Sequence, residues 1–219
     1  MEQIKPQTLL PFSNPVLAFQ LPYNDNFRTS LIKECLTCRD QSESINSADA
    51  NKQVGWQSPK ILFTTQAPFL KKIAESIVES VGYISKFISP NIDLNSFKIG
   101  KEGWININQK GSLHYPHTHG GSTFSGVFYV KVPVINKTNS NSINQPGFIE
   151  FLDPRNDVTS FARDIPELTN SLAFSQKMML EPKEGVLLIF PAWLKHWVYP
   201  NTDNEERISI SFNTALIKK

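Results

Sequence analysis

Two stretches near opposite ends of the chain carry the same pattern. Trp104-Ile105-Asn106-Ile107-Asn108 and Arg207-Ile208-Ser209-Ile210-Ser211-Phe212-Asn213 both alternate at a period of two. That period puts Ile105 and Ile107, or Ile208, Ile210 and Phe212, on one face of a strand, and the residues between them on the other. Further short runs lie between: Gly126 to Val132, ended by Pro133, then Phe148 to Leu152, Met178 to Leu180, Gly185 to Phe190 and His196 to Val198. Many short strands separated by turn signals predict a β-sandwich or barrel.

Upstream of residue 96 the period is helical. Phe69, Ile73, Ile77, Val81 and Ile84 recur at one-turn spacings, which predicts a helix over 68–88, closed by Pro90. A second helix is predicted over 26–39. Residues 1–22 read as an extended lead-in, broken by Pro6, Pro11, Pro15 and Pro22, with a strand at Val16 to Phe19. The polar stretch 40–60 and the Asn- and Ser-rich stretch 136–147 read as loops, and no internal repeat is visible. The expectation is a mainly β protein with N-terminal helices. A single domain would span 1–219, its helical and extended portion (1–98) packed on a β core (99–219).

Composition narrows the function classes. The 219 residues carry 22 Lys+Arg against 20 Asp+Glu, a net charge of +2. That gives no basic stripe for nucleic acid or an anionic membrane. Gly185 to Leu194, the longest apolar run, is far short of the about 20 residues that span a bilayer. Met1 to Pro6 has no basic region leading into an apolar run. A soluble, cytoplasmic protein is expected. The only cysteines, Cys35 and Cys38, form a Cys-x-x-Cys near the end of a predicted helix rather than at its start. With no further Cys to complete a thiolate site, they read as reduced, incidental thiols.

The four histidines are unevenly spread: His114, His117 and His119 cluster, and His196 stands alone after Pro191-Ala192-Trp193-Leu194-Lys195. In an extended segment His117 and His119 point to one side. Two imidazoles from one segment and a third from a distant strand form a three-point metal site, and neutral imidazole is the commonest metal ligand. The plainer alternative is a His-rich surface loop and a satisfied core His196.

These residues resemble a family. Trp104 to Asn108, Gly111, His117-Thr118-His119 and Ser125-Gly126-Val127-Phe128-Tyr129-Val130 look like the metal-binding half of the 2-oxoglutarate/Fe(II)-dependent oxygenase superfamily. The resemblance is to a prokaryotic and phage branch with His-x-His before Ser-Gly-Val-Tyr-Tyr. It continues through Phe151 to Arg155, Phe190 to His196 and Glu206 to Asn213, and Trp56-Gln57-Ser58 recurs upstream. It implies a double-stranded β-helix, or jelly roll, a cupin-like barrel with Fe(II) at its open end and 2-oxoglutarate as cosubstrate. His117, His119 and His196 would be the metal and catalytic residues. Arg207, with Ser209 and Tyr129, would hold the distal carboxylate of 2-oxoglutarate, Arg207 standing at the spacing from the last His that the family's arginine takes. The residues themselves support this half, because a cation on the polar face of a strand in an apolar region needs an anionic partner. A surface ion pair of Arg207 with Asp203 or Glu205 is the rival.

In one place the chain departs from the superfamily's usual pattern. The usual ligand order is His-x-Asp/Glu and then His, and His119 occupies the carboxylate position. Three readings stay open: a three-His triad, a two-His site completed by water, or Asp153 as a distant carboxylate. A three-His set widens the metals bound in vitro to Zn(II), Ni(II) or Cu(II). The implied reaction oxidises a substrate while decarboxylating 2-oxoglutarate to succinate. The substrate is a small molecule or a protein side chain, and a homodimer is left open. Trp104, Asn106, Asn108 and His114 are candidates for the substrate side, and Trp193 and Trp197 for packing around the site. The alternatives are a cupin-type metal enzyme, although Gly120 to Phe124 offers no Glu where the cupin motif expects one after the second His, and a non-catalytic jelly-roll binding protein.

Overall fold

In the computed structural model, residues 14–41, 52–53, 55–133, 145–155, 165, 167 and 175–219 are described. β1 (Leu17–Gln20) leads into α1 (Asp25–Gln41), the short β2 (Lys52–Gln53) and β3 (Trp56–Gln57), and α2 (Pro68–Ile88). The β core follows as β4 (Phe97–Asn108), β5 (Leu113–His117), β6 (Phe124–Lys131), β7 (Ile149–Leu152), β8 (Lys177–Leu180), β9 (Val186–Pro191), β10 (His196–Val198) and β11 (Arg207–Lys218). A six-stranded sheet runs β1-β9-β6-β11-β4-β3 and a five-stranded sheet β2-β5-β10-β7-β8, with every pair antiparallel. Two facing antiparallel sheets with chain-distant neighbours make this a double-stranded β-helix.

The alternation in β4 and β11 divides the larger sheet into two faces. Their registers run from Arg207 opposite Asn108 to Lys218 opposite Phe97. Ile105, Ile107, Ile208, Ile210 and Phe212 face the helices, packed with Leu31, Leu70, Ile73, Ile77, Val81 and Ile84. On the other face Val127, Tyr129, Leu188 and Phe190 meet Ile149, Phe151 and Leu194, which closes the interior between the sheets. Each fully buried aliphatic or aromatic side chain contributes about 1.5–3 kcal/mol. The helix-side layer therefore fixes which face of β11 is turned inward.

α2 begins at Pro68, pre-set for a first helical turn, but its N-cap residue Ala67 has no side chain to cap it. The carboxylate of Glu34, on α1, does so from outside. It accepts from the backbone N–H of Phe69 at 3.1 Å and of Leu70 at 2.8 Å. Glu34→Ala should lower stability by about 1 kcal/mol, the usual worth of a cap, with Glu34→Gln losing less. Thermal unfolding of the two variants checks this.

The structure corrects the sequence reading in two places. The stretch read as a loop over 40–60 contains β2 and β3, each a two-residue edge strand added to a long neighbour. Two residues are too few for a period to register. β4 starts at Phe97, well before Trp104. Gly103, inside this strand, leaves room for Leu62, whose side chain would lie 2.7 Å from an added Cβ. Of the lead-in and the 136–147 loop, residues 1–13 and 136–144 lie outside the described residues. Cys35 and Cys38 are free thiols, and burial pushes the Cys35 pKa up, away from thiolate reactivity. Among the described residues, no helix is long and apolar enough to cross a membrane.

Candidate active site

β5 and β10 pair so that His117 lies opposite His196, and His196 is also opposite Phe151 on β7. His119 lies beyond the end of β5, so strand alternation does not orient it. Its backbone N–H donates to Ala192 O (2.9 Å), and the Ala192 N–H donates to Thr123 O (3.1 Å). These bonds tie the turn after β5 to the turn before His196. Ring centroids are 4.9 Å apart for His117–His119, 4.5 Å for His117–His196 and 5.2 Å for His119–His196. One ligand atom from each of the three lies within 4.8 Å of the others.

Main-chain carbonyls fix which nitrogen faces inward. His117 Nδ1 is 2.6 Å from Tyr115 O, and His196 Nδ1 is 2.9 Å from Leu194 O. A carbonyl only accepts, so each Nδ1 carries the hydrogen and each Nε2 keeps its lone pair, the arrangement typical of a metal-ligating histidine. His196 is buried, with the Phe190 ring 4.7 Å away. Its pKa is pushed down to about 3, chiefly by burial and then by His117, against the opposing Leu194 carbonyl. It is therefore the neutral ligand form. The donor chemistry and convergence of the three imidazoles fit a divalent metal ion.

The same cavity, of about 250 Å³, is lined by these histidines and by Tyr129, Arg207 and Ser209. It is smaller than the about 300–1,000 Å³ of pockets for drug-sized ligands, so it suits a metabolite-sized one. Arg207 is 3% exposed, and among the described residues no carboxylate lies within ion-pair reach. It makes long contacts from one terminal nitrogen, 3.5 Å to Asn108 Oδ1 and 3.4 Å to Ser209 Oγ, and interacts electrostatically with Tyr129. Its Nε and the Tyr129 hydroxyl have no hydrogen-bond partner among the described residues. Burial lowers the Arg207 pKa and pushes the Tyr129 pKa up to about 12. The guanidinium carbon lies 5.3 Å from the Tyr129 ring centroid. From behind, Gly147 holds the stem at φ +69°, where an added Cβ would lie 2.7 Å from Arg207 Cδ. A buried cation with an unused donor beside an unused hydroxyl fits one end of a small anion.

Other candidate residues divide between two regions. Asn108 and His114 stand at the Arg207 end, with Asn108 Nδ2 3.4 Å from His114 Nε2. Trp104 lines the cavity, and Asn106 donates to Ser211 Oγ at 2.9 Å. The Asp153 carboxylate accepts from Arg155 Nε at 2.9 and 3.1 Å and is not part of the histidine cluster. Trp193 is 52% exposed and does not pack around the site, and Trp197 donates instead to Glu150 at 2.9 Å. Sequence reasoning missed Gln57, Lys60 and Glu102, which also line the cavity. Glu102 shares the parity of Trp104, Asn106 and Asn108, so extending that strand past Gly103 would have found it.

This jelly roll, with three converging imidazoles and a buried, unpaired arginine in one cavity, has the form of a metal-dependent oxygenase. The family described as "Putative 2OG-Fe(II) oxygenase" matches residues 102–213, about half of the chain, and the chain belongs to it. No curated protein matches in sequence. Among solved structures, a Pseudomonas putida prolyl-4-hydroxylase is 13% identical over 94% of each chain, with a TM-score of 0.63. A prolyl hydroxylase from Trichoplax adhaerens, in complex with a peptide fragment of hypoxia inducible factor, is 15% identical over 91% of this chain and 83% of that one, with a TM-score of 0.60. HygX from Streptomyces hygroscopicus, with nickel and 2-oxoglutarate bound, is 12% identical over 92% and 83%, with a TM-score of 0.56. At these identities the likeness is one of fold.

Proposed function

We propose that this protein is a 2-oxoglutarate- and Fe(II)-dependent oxygenase of the branch carrying His-x-His before Ser-Gly-Val. His117, His119 and His196 would hold the iron, and Arg207, Ser209 and Tyr129 the distal carboxylate of 2-oxoglutarate. One observation carries the reading: a buried, unpaired Arg207 opens into the cavity that the three imidazoles line. When bound, Fe(II) supplies the oxygen-activating chemistry that couples decarboxylation of 2-oxoglutarate to oxidation of a substrate.

The chain's own residues bind, orient and shield. The carbonyls of Tyr115 and Leu194 keep Nε2 of His117 and His196 aimed inward. Arg207 offers Nε and its terminal nitrogens as a fork that an ammonium cannot imitate, and the Tyr129 hydroxyl adds a donor. Val127, Ile149, Phe190 and Val198 form apolar wall around the same space, which excludes water and strengthens each charged contact. The substrate would be a small molecule or a protein side chain, with Trp104 in the wall of the cavity.

The test is Fe(II)-dependent conversion of 2-oxoglutarate to succinate by the purified chain in air, paired with calorimetric binding of 2-oxoglutarate to the Zn(II)-loaded protein. Succinate formation that stops without iron is the expected result. Absence of both succinate and 2-oxoglutarate binding would sink the proposal.

A further inference from the structure

The described residues that line the cavity do not balance the charges it would hold. Lys60 and Arg207 are cations, and Glu102 is the one acidic residue among them. Both oxygens of Glu102 are engaged. Asn213 Nδ2 donates to Oε1 at 3.0 Å, and Lys60 Nζ pairs with Oε2. Lys60 and Glu102 neutralise each other, which leaves the positive charge of Arg207. The three converging imidazoles add none, because a histidine ligates as the neutral ring. Arg207 and a divalent ion together carry three positive charges, and the two carboxylates of 2-oxoglutarate leave one. A two-His, one-carboxylate set would close that gap with its own acid. His119 stands there instead. One positive charge therefore stays without a counter-charge beside the apolar walls of Val127, Ile149 and Phe190, where charge is weakly screened.

One row of the larger sheet has donors to offer in the same space. Ser211 on β11 lies opposite Trp104 on β4 and Val127 on β6, and all three line the cavity. Asn106, Ser209 and Tyr129 form the neighbouring row, on the side of Arg207. The Ser211 oxygen already accepts from Asn106 Nδ2 at 2.9 Å, so its own hydrogen is what it has left to give. An indole N–H can only donate, and that of Trp104 makes no hydrogen bond among the described residues. Both side chains are half-buried and within reach of a ligand in the cavity. Two donors beside an excess positive charge select an acceptor that carries one negative charge.

We infer that this site takes a monovalent anion in addition to 2-oxoglutarate, seated against Trp104 and Ser211, and that the anion is a carboxylate carried by the substrate. The inference rests on the oxygenase reading, which supplies the metal and the dianion in the charge count, but the binding it requires is measured without turnover. Butyrate, butylammonium, 1-butanol and azide are titrated calorimetrically into the full chain loaded with Zn(II) and 2-oxoglutarate. Butyrate should bind, and butylammonium and 1-butanol should not. Trp104→Phe keeps an aromatic ring without the N–H and should weaken butyrate severalfold, with 2-oxoglutarate affinity unchanged. His119→Asp supplies the missing negative charge and should weaken butyrate about tenfold or more. Glu102→Gln removes the one acidic charge and should tighten butyrate severalfold, a gain that misfolding cannot produce. Lys60→Met leaves Glu102 uncompensated and should weaken butyrate by a similar factor. Neither of these last two changes touches a histidine of the cluster, so they decide the charge argument even if His119→Asp loses its metal.

Absence of butyrate binding, butyrate that displaces 2-oxoglutarate, unchanged butyrate affinity in Trp104→Phe or in a metal-loaded His119→Asp, or unchanged or opposite responses in Glu102→Gln and Lys60→Met would each overturn the inference. Azide separates the two sources of a monovalent anion. A clear preference for butyrate assigns the charge to the substrate, whereas azide that binds as tightly and competes with butyrate makes it a free inorganic ion and overturns that assignment. Butyrate binding that follows these variants without any Fe(II)-dependent succinate formation leaves the anion seat standing and removes the oxygenase reading. Succinate formation without butyrate binding does the reverse.

Discussion

His196→Ala and His117→Ala should each leave the purified chain without stoichiometric metal, while His114→Ala keeps it. The first two lose one of three converging donors. Loss of a mere outer-shell partner weakens a metal site about 10–100-fold, and loss of a ligand weakens it further. His114 contacts Asn108 and lies outside the cluster, its ring 6.4 Å from that of His117. His119→Ala is the informative variant. His119 is positioned by loop-to-loop hydrogen bonds rather than by a strand, and it stands where a two-His, one-carboxylate site would have its carboxylate. Full metal retention there would reduce the site to His117 and His196, whereas a large loss would make it a triad. His119→Asp should restore a two-His, one-carboxylate set and keep Fe(II). Elemental analysis and chelator competition read all five, with thermal unfolding in chelator as the control for folding. Undiminished metal in His196→Ala would end the three-point site.

What was legible in the sequence follows the length scale of each signal. α2 could be read at 68–88 because five apolar residues repeat over its length and Pro90 stops it. The inward face of β11 was legible because three apolar residues alternate with four polar ones, and the helix-side core then forces Arg207 inward. The coming together of His117 and His196 was legible only as a pattern of residue types. The register that pairs them is tertiary, set by β10 lying between β5 and β7. The two-residue edge strands β2 and β3 gave no signal. Glu102 was missed because the alternation was read from Trp104 onward, and Gly103, where Leu62 packs, has no side chain to carry the pattern back. The Glu34 cap of α2 joins two helices, and no local rule for helix starts looks that far along a chain.

Arg207→Leu should cost the protein its cosubstrate without costing it its metal. The ligand-free guanidinium is a buried charge with no carboxylate partner among the described residues and with one donor, Nε, unused. An isolated buried charge destabilises the fold that holds it. The leucine variant should therefore unfold at the same or a higher temperature than wild type when no ligand is present. Binding should move the opposite way. A distal carboxylate entering beside Tyr129 and Ser209 would find no cation, and charge-assisted bonds of about 1.5–3 kcal/mol each would be lost. That corresponds to about 10²-fold or more in affinity for 2-oxoglutarate. Arg207→Lys should recover part of this, since an ammonium supplies charge but not the paired fork. Both variants should take up metal normally, as Arg207 is not among the converging donors. Calorimetric titration of 2-oxoglutarate into the metal-loaded proteins, alongside ligand-free thermal unfolding, separates the two effects. A leucine variant that is destabilised yet binds 2-oxoglutarate as wild type does would mean that Arg207 is a structural cation. The anion pocket would then have to be sought elsewhere, and a cupin-type metal enzyme would become the better account of the three histidines.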